Sequence, residues 1–105
     1  MTVETNNEEK CNIGLDALEN VFDPEIGLNV VDLGLIYELI FNENEIVCTM
    51  TLTSQFCPMG ESITDNVKLA LETSFANSAV SVNLIFQPPW SYANISEIGR
   101  QFLNG

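Results

Sequence analysis

Cys57 opens the segment whose residue types are best suited to chemistry. It precedes Pro58, Met59 and Gly60 at the start of a predicted helix. If Pro58 is the first helical residue, Cys57 is the N-cap, and the free N–H groups of the first turn face its sulfur. Those groups and the helix dipole lower the pKa of a thiol, which makes it a better nucleophile or metal ligand. The alternative is a small buried residue in a turn, and the spacing leaves both interpretations open.

Two carboxylates and two hydroxyls form the second group of candidates. Asp23 and Glu25 stand on either side of Pro24, where a helix is predicted to end. They could bind a cation, although solvated acids at a helix stop explain the pattern better. Thr53 and Ser54 lie at the end of a predicted strand, where β-propensity alone accounts for threonine. Trp90 is either a pocket wall or a core anchor, and its indole needs a hydrogen-bond partner if it is buried.

Composition limits the chemistry that these residues can perform. The chain has no histidine, which excludes a Ser-His-Asp triad, a Cys-His dyad and a histidine-based zinc site. Its 3 cysteines cannot complete a four-cysteine metal site within one chain. Cys11 and Cys48 fall on apolar faces of predicted elements, and free cysteine packs there like a small apolar residue. Cys57 is therefore the thiol with a candidate function.

Charge limits the classes of partner. The chain has 105 residues with 15 acids, 3 bases and a net charge of −12. Such a surface repels phosphate backbones and anionic lipid, so we expect no nucleic-acid partner and no membrane partner. The N-terminal residues lack the basic and apolar regions of a signal peptide. We therefore expect a cytoplasmic protein whose cysteines stay reduced.

Six predicted elements must position the candidate residues. Hydrophobic periodicity, turn residues and prolines predict them in the order α-β-β-α-β-α. Their expected bounds are a helix over 8–22, strands over 35–41 and 46–53, a helix over 59–75, a strand over 79–86 and a helix over 94–103. The order indicates an α+β fold, a two-layer α/β sandwich with a small mixed three-stranded sheet. We expect a single domain over residues 1–105, in which residues 1–9 form a flexible N-terminus.

Three separated motifs carry a resemblance to a known family. They are Asp23-Pro24-Glu25 with the run to Tyr37, Met50-Thr51-Leu52-Thr53-Ser54 followed by Cys57-Pro58-Met59-Gly60, and Pro88-Pro89-Trp90-Ser91. Ser96-Glu97 resembles the start of the family's final helix. Together these motifs resemble the metal–sulfur cluster biosynthetic, or iron–sulfur cluster assembly, domain family, which includes SufT-like and PaaD-like proteins. The match spans about residues 10–103, and the three motifs stand in the family's order.

The resemblance implies a fold, a role and a site. The fold is that of iron–sulfur cluster assembly domains, and the role is the maturation of iron–sulfur proteins. Carried over position by position, the implied site consists of Asp23, Glu25, Thr53, Ser54 and Cys57, with Cys57 as the reactive thiol. A metal would then be held by Cys57 together with Asp23 or Glu25. Nearby carboxylates oppose thiolate formation, whereas a bound cation favours it. This suits transient handling of iron or an iron–sulfur cluster rather than tight binding.

Three functions remain open at this level. The first is an assembly or carrier factor, not a catalyst, that delivers clusters to client apo-proteins and works with other assembly proteins. One cysteine cannot hold a cluster, so a second copy of the chain in a homodimer, a partner protein or a small thiol must add ligands. The second is an acidic adaptor that binds the same proteins without metal. The third is a sulfur transferase with Cys57 as nucleophile, for which the chain offers no histidine base.

Overall fold

Eight short elements build the fold of this chain. The computed structural model describes residues 3–54 and 59–104. In chain order they are β1 (Glu4–Thr5), α1 (Glu8–Leu18), β2 (Ile36–Phe41), β3 (Glu45–Met50), α2 (Gly60–Ser74), β4 (Ala79–Leu84), a 3-10 turn (Tyr92–Asn94) and α3 (Glu97–Asn104). The predicted α+β class is confirmed. No helix among the described residues is long and apolar enough to cross a membrane.

The sheet is mixed, as predicted, but the described part of the chain gives it four strands instead of three. Their order is β1-β2-β3-β4, with β2 and β3 antiparallel and the two outer pairings parallel. The strand that we missed is β1, which has two residues and so gives no periodic signal. The Asn6 amide extends it by donating to the Phe41 carbonyl at 2.9 Å and accepting from the Phe41 N–H at 2.9 Å. Residues 4 and 5 lie in the segment expected to be flexible, and that flexibility stays a prediction.

The first helix is shorter than predicted. We expected it to continue to residue 22, but α1 ends at Leu18. Beyond it, the Val30 N–H donates to the Val21 carbonyl at 2.9 Å, and Phe22 forms an isolated bridge with Asn29. Residues 21 and 22 therefore pair with the following loop, although their apolar side chains continue the helical spacing. Tertiary pairing overrides the local pattern here.

The core lies between the sheet and the layer formed by α1 and α2. Gly14 of α1 allows a close approach, because an added Cβ would lie 3.3 Å from Leu71 of α2 and 3.4 Å from Leu39 of β2. Cys48, Met50 and Leu52 are buried on one face of β3 and its extension, as the alternation predicts. The same core contains other buried apolar side chains, among them Leu18, Leu33, Leu35, Ile46, Ile63 and Val67.

The opposite face of β3 and its extension carries two buried threonines. Thr51 is fully buried, and Thr49 is buried as well. Thr49 donates to the Glu38 carboxylate at 3.3 Å, and the Thr51 backbone N–H donates to the Leu35 carbonyl at 2.9 Å. Burial of polar groups requires such partners. The two threonines therefore belong to the packed interior.

Candidate functional site

The loop after α1 is organised by the Asp23 carboxylate. Asp23 is 1% exposed, and its Oδ1 accepts from the Glu25 N–H at 2.8 Å and from the Ile26 N–H at 3.3 Å. The Gly27 N–H donates to the Asp23 carbonyl at 2.7 Å, which closes the turn. A short polar side chain that bonds the backbone two residues ahead is a standard way to build such turns. Asp23 therefore has a structural role in addition to any ligand role.

Glu25 lies in the same turn, but its side chain is exposed. The two predicted carboxylates therefore lie in one turn, but Asp23 is buried and Glu25 is exposed. The Asp23 Oδ1 is already engaged by two backbone donors. A role of either carboxylate in metal binding stays a prediction.

Thr53 and Ser54 lie in a second part of the candidate site, where the second and third motifs meet. They line a cavity of about 320 Å³ together with Leu52, Phe86, Gln87, Pro89 and Trp90. Thr53 is half-buried and Ser54 is exposed. Hydroxyls beside an aromatic wall can orient a polar ligand by hydrogen bonds. The second motif and the Pro-Pro-Trp motif therefore form one surface.

Trp90 fills both roles that the sequence left open. It lines the cavity, and its indole N–H donates to the Leu33 carbonyl at 2.6 Å. Leu33 belongs to the first motif, so this bond joins the first and third motifs across 57 positions. The Tyr37 hydroxyl makes a similar link by donating to the Pro88 carbonyl at 3.0 Å.

A polar cluster that sequence reasoning missed ties the first motif to α3. The Asn29 Oδ1 accepts from the backbone N–H groups of Val31 and Asp32 at 3.0 and 2.9 Å, and its amide donates to the Asp32 carboxylate at 2.7 Å. The Ser96 hydroxyl donates to the other Asp32 oxygen at 2.9 Å. Ser96 also accepts from the Gly99 N–H at 3.0 Å, which caps α3. The resemblance of Ser96-Glu97 to a helix start was the one available signal.

Cys57 and Pro58 lie outside the described residues, so the predicted reactive thiol stays a prediction. The start of α2, however, differs from the expectation. The helix begins at Gly60 with Met59 as its N-cap, whereas we placed Pro58 in the first turn and Cys57 at the cap. Gly60 packs so closely on the end of β3 that an added Cβ would lie 2.6 Å from Leu52 Cδ1. The cap and the first helical residue thus lie two positions further along the chain than expected.

The other two cysteines are core residues, as predicted. Cys11 and Cys48 are buried free thiols. Burial raises the pKa of Cys48 to about 12. Burial also raises the pKa of Cys11, and the nearby Glu8 carboxylate adds to that effect, while a hydrogen bond with Thr5 opposes it. Both are therefore neutral thiols at pH 7, and both are shielded from solvent by the core.

The described ranges, 3–54 and 59–104, hold no group of three or more cysteine, aspartate or glutamate side chains arranged to bind a metal ion. The hypothesis that Cys57 binds metal with Asp23 or Glu25 is thus neither tested nor replaced by another site in this part of the chain.

Comparison with known proteins identifies the relatives of this chain. Residues 15–84 match the profile of a family described as iron-sulfur cluster assembly protein. An Fe-S protein maturation auxiliary factor, YitW, from Bacillus subtilis is 38% identical over 82% of this chain and 85% of its own length. A second such factor, SufT from Staphylococcus aureus, is 45% identical over 76% of this chain and 92% of its own length.

A solved structure shares the same fold. The crystal structure of a domain of unknown function, DUF59, from Bacillus anthracis superposes with a TM-score of 0.87 and 38% sequence identity. The alignment covers 92% of this chain and 93% of that one. The arrangement of helices, mixed sheet and signature loops described above is therefore shared over nearly the whole length of both chains.

Proposed function

Because this chain belongs to the iron–sulfur cluster assembly protein family, we propose that it is a maturation factor that helps to deliver iron–sulfur clusters to client apo-proteins. The observation that carries the proposal is the match over residues 15–84, together with relatives of 38% and 45% identity that are named as maturation auxiliary factors. The cluster is cargo in this proposal. The chain acts in the cytoplasm, where thiols stay reduced.

Cys57 is the proposed transient ligand for that cargo. Support comes by elimination, since burial keeps the other two cysteines protonated. Glu25 is the proposed carboxylate partner because it is exposed in the turn that Asp23 holds in place. Thr53 and Ser54 would contact the cluster or its carrier from the cavity beside Trp90. A single thiolate leaves most positions of a cluster unligated, so release to a partner with more cysteines is favourable.

Anaerobic reconstitution tests the ligand role. Purified protein is incubated with ferrous iron and sulfide, desalted, and read by visible absorption. We expect Cys57→Ser to lose most of the absorption of the wild type, and the matched control Cys48→Ala to keep it. Equal spectra for wild type and Cys57→Ser would show that Cys57 is not a ligand.

A genetic complementation experiment tests the maturation role separately. A strain lacking this gene is assayed for the activity of its iron–sulfur enzymes, with and without plasmid-borne wild type. Restored activity is expected with wild type but not with Cys57→Ser. Full restoration by Cys57→Ser would favour the metal-free acidic adaptor, whereas undiminished enzyme activity in the deletion strain would contradict the maturation role.

A further inference from the structure

A groove on the helical layer is not part of the candidate site. Its walls come from the end of α1 and the second half of α2, and we call it the α1–α2 groove. Its volume is about 670 Å³. The lining residues are Ala17, Asn20, Val21 and Phe22 on one side and Asn66, Leu69, Ala70, Thr73 and Ser74 on the other.

Two large apolar side chains line this groove without being buried. Leu69 is 60% exposed and Phe22 is 53% exposed. Both stand on the groove's walls, and the small residues Ala17 and Ala70 leave room between them. Apolar anchors around a concavity are what a protein partner needs, because most binding energy comes from a few such contacts.

The rim of the groove is acidic. Asp16 is exposed next to Ala17, and on α2 the exposed residues Asp65 and Glu72 lie four positions before and three after Leu69. Spacings of three and four place side chains near each other along a helix. Of the bases on these two helices, Lys68 lies three positions after Asp65 and lines a second cavity with it beside β4, so three acids face one base. Lys10 lies two turns before Ala17. The charge around the apolar anchors is therefore negative.

We propose that the α1–α2 groove binds a basic amphipathic helix of a partner protein. A helix suits the site because one wall is α2, whose backbone groups are bonded internally, and residues 21 and 22 of the other wall are already paired with the following loop. The partner's apolar stripe would contact Leu69 and Phe22, and its flanking lysines or arginines would meet Asp16, Asp65 and Glu72. Opposite charge also raises the rate of encounter.

The groove adjoins the candidate site through the chain itself. Phe22 immediately precedes Asp23, the residue that holds the first signature loop. A helix bound in the groove would bring its protein beside that loop. That the partner is a client or an assembly protein rests on the proposed function, whereas binding of a basic amphipathic helix does not.

A synthetic peptide tests the surface directly. The probe is a fluorescein-labelled peptide of about 18 residues in which leucines recur three and four positions apart and lysines occupy most other positions. A peptide of the same composition, with the leucines scattered around the helix, is the comparison. Fluorescence anisotropy at several salt concentrations reports affinity for the full-length chain.

Matched variants locate the binding. Leu69→Gln is expected to weaken binding of the amphipathic peptide roughly tenfold. Ile98→Gln is the control, because Ile98 is 72% exposed on α3 and does not line the groove. Binding by this variant should stay within about twofold of wild type. The double change Asp65→Asn with Glu72→Gln should reduce the salt dependence of binding.

Two results would overturn the proposal. Equal affinity for the scattered peptide would show that charge alone attracts the probe, and equal losses from Leu69→Gln and Ile98→Gln would show that the groove is not the site. Leu69→Gln should keep the reconstituted absorption spectrum. The two proposals can fail separately. If wild type did not bind the peptide, while Cys57→Ser alone lost the absorption spectrum, the docking surface would be wrong and the proposed function would stand.

Discussion

The side chain of Asp23 illustrates how one residue of a signature motif serves the fold before it serves chemistry. Its Oδ1 accepts two backbone N–H bonds in a loop where the residue is 1% exposed. A buried acceptor is costly to remove because its donors are left without partners. An acidic residue in such a motif is therefore not evidence of metal binding by itself.

Replacing Asp23 separates these two roles. Asp23→Ala removes the acceptor for two N–H groups and should lower the free energy of unfolding by about 1–3 kcal/mol. Asp23→Asn keeps an oxygen acceptor and should lose much less. Urea unfolding followed by circular dichroism measures both. If the two variants were equally stable, the hydrogen bonds of Asp23 would not be what holds the loop.

Cys11 and Cys48 show how burial changes the chemistry of a thiol. Cys48 is in the core, where desolvation raises its pKa to about 12, and Cys11 is shifted in the same direction. Neither provides thiolate at neutral pH, since thiolate fraction falls tenfold for each unit by which pKa exceeds pH. The sequence predicted the burial of these two residues correctly because both share faces with aliphatic neighbours.

Among the elements, the turn that ends the first motif depends on close contact with a distant segment. Gly34 has a φ of +77°, and an added Cβ would overlap the Asn94 backbone carbonyl. Gly27 has a φ of +80°, but no atom lies within 4 Å of the Cβ position. The two glycines thus share a backbone conformation and differ only in their surroundings.

This pair allows a matched prediction. Gly27→Ala should lower the free energy of unfolding by about 1–2 kcal/mol, which is the cost of a left-handed conformation for a residue with a Cβ. Gly34→Ala should cost more than about 3 kcal/mol, because the clash with Asn94 adds to that strain. Thermal or urea unfolding gives both values. Similar losses in the two variants would mean that the 3-10 turn moves away from Gly34 easily.

At the scale of the whole molecule, net charge opposes folding. The chain carries −12 in 105 residues. Packing these charges into a folded chain increases their mutual repulsion, and salt screens that repulsion. The same excess of acids supplies the negative rim of the α1–α2 groove. Charge therefore favours basic partners while it lowers stability at low ionic strength.

Salt should consequently stabilise this protein. Raising sodium chloride from about 10 mM to about 150 mM shortens the screening length from about 30 Å to about 8 Å. We expect the midpoint of thermal unfolding to rise by about 4–8 °C, which corresponds to about 1 kcal/mol for a domain of this size. Calorimetry at constant pH measures the shift. A midpoint that falls with salt would indicate that favourable ion pairs outweigh the repulsion.

Local pattern determined the fold class, the main helices and strands, the core cysteines and the motifs that carry the family resemblance. These features can be predicted because burial of one face of a helix or strand makes apolar residues recur at a regular spacing. Only the tertiary structure decided that α1 ends at Leu18, that β1 joins the sheet, and that Trp90 meets Leu33 while Ser96 meets Asp32. Such bonds join positions 57 and 64 residues apart. They produce no regular spacing in the sequence, because they depend on which surfaces come into contact when the core packs.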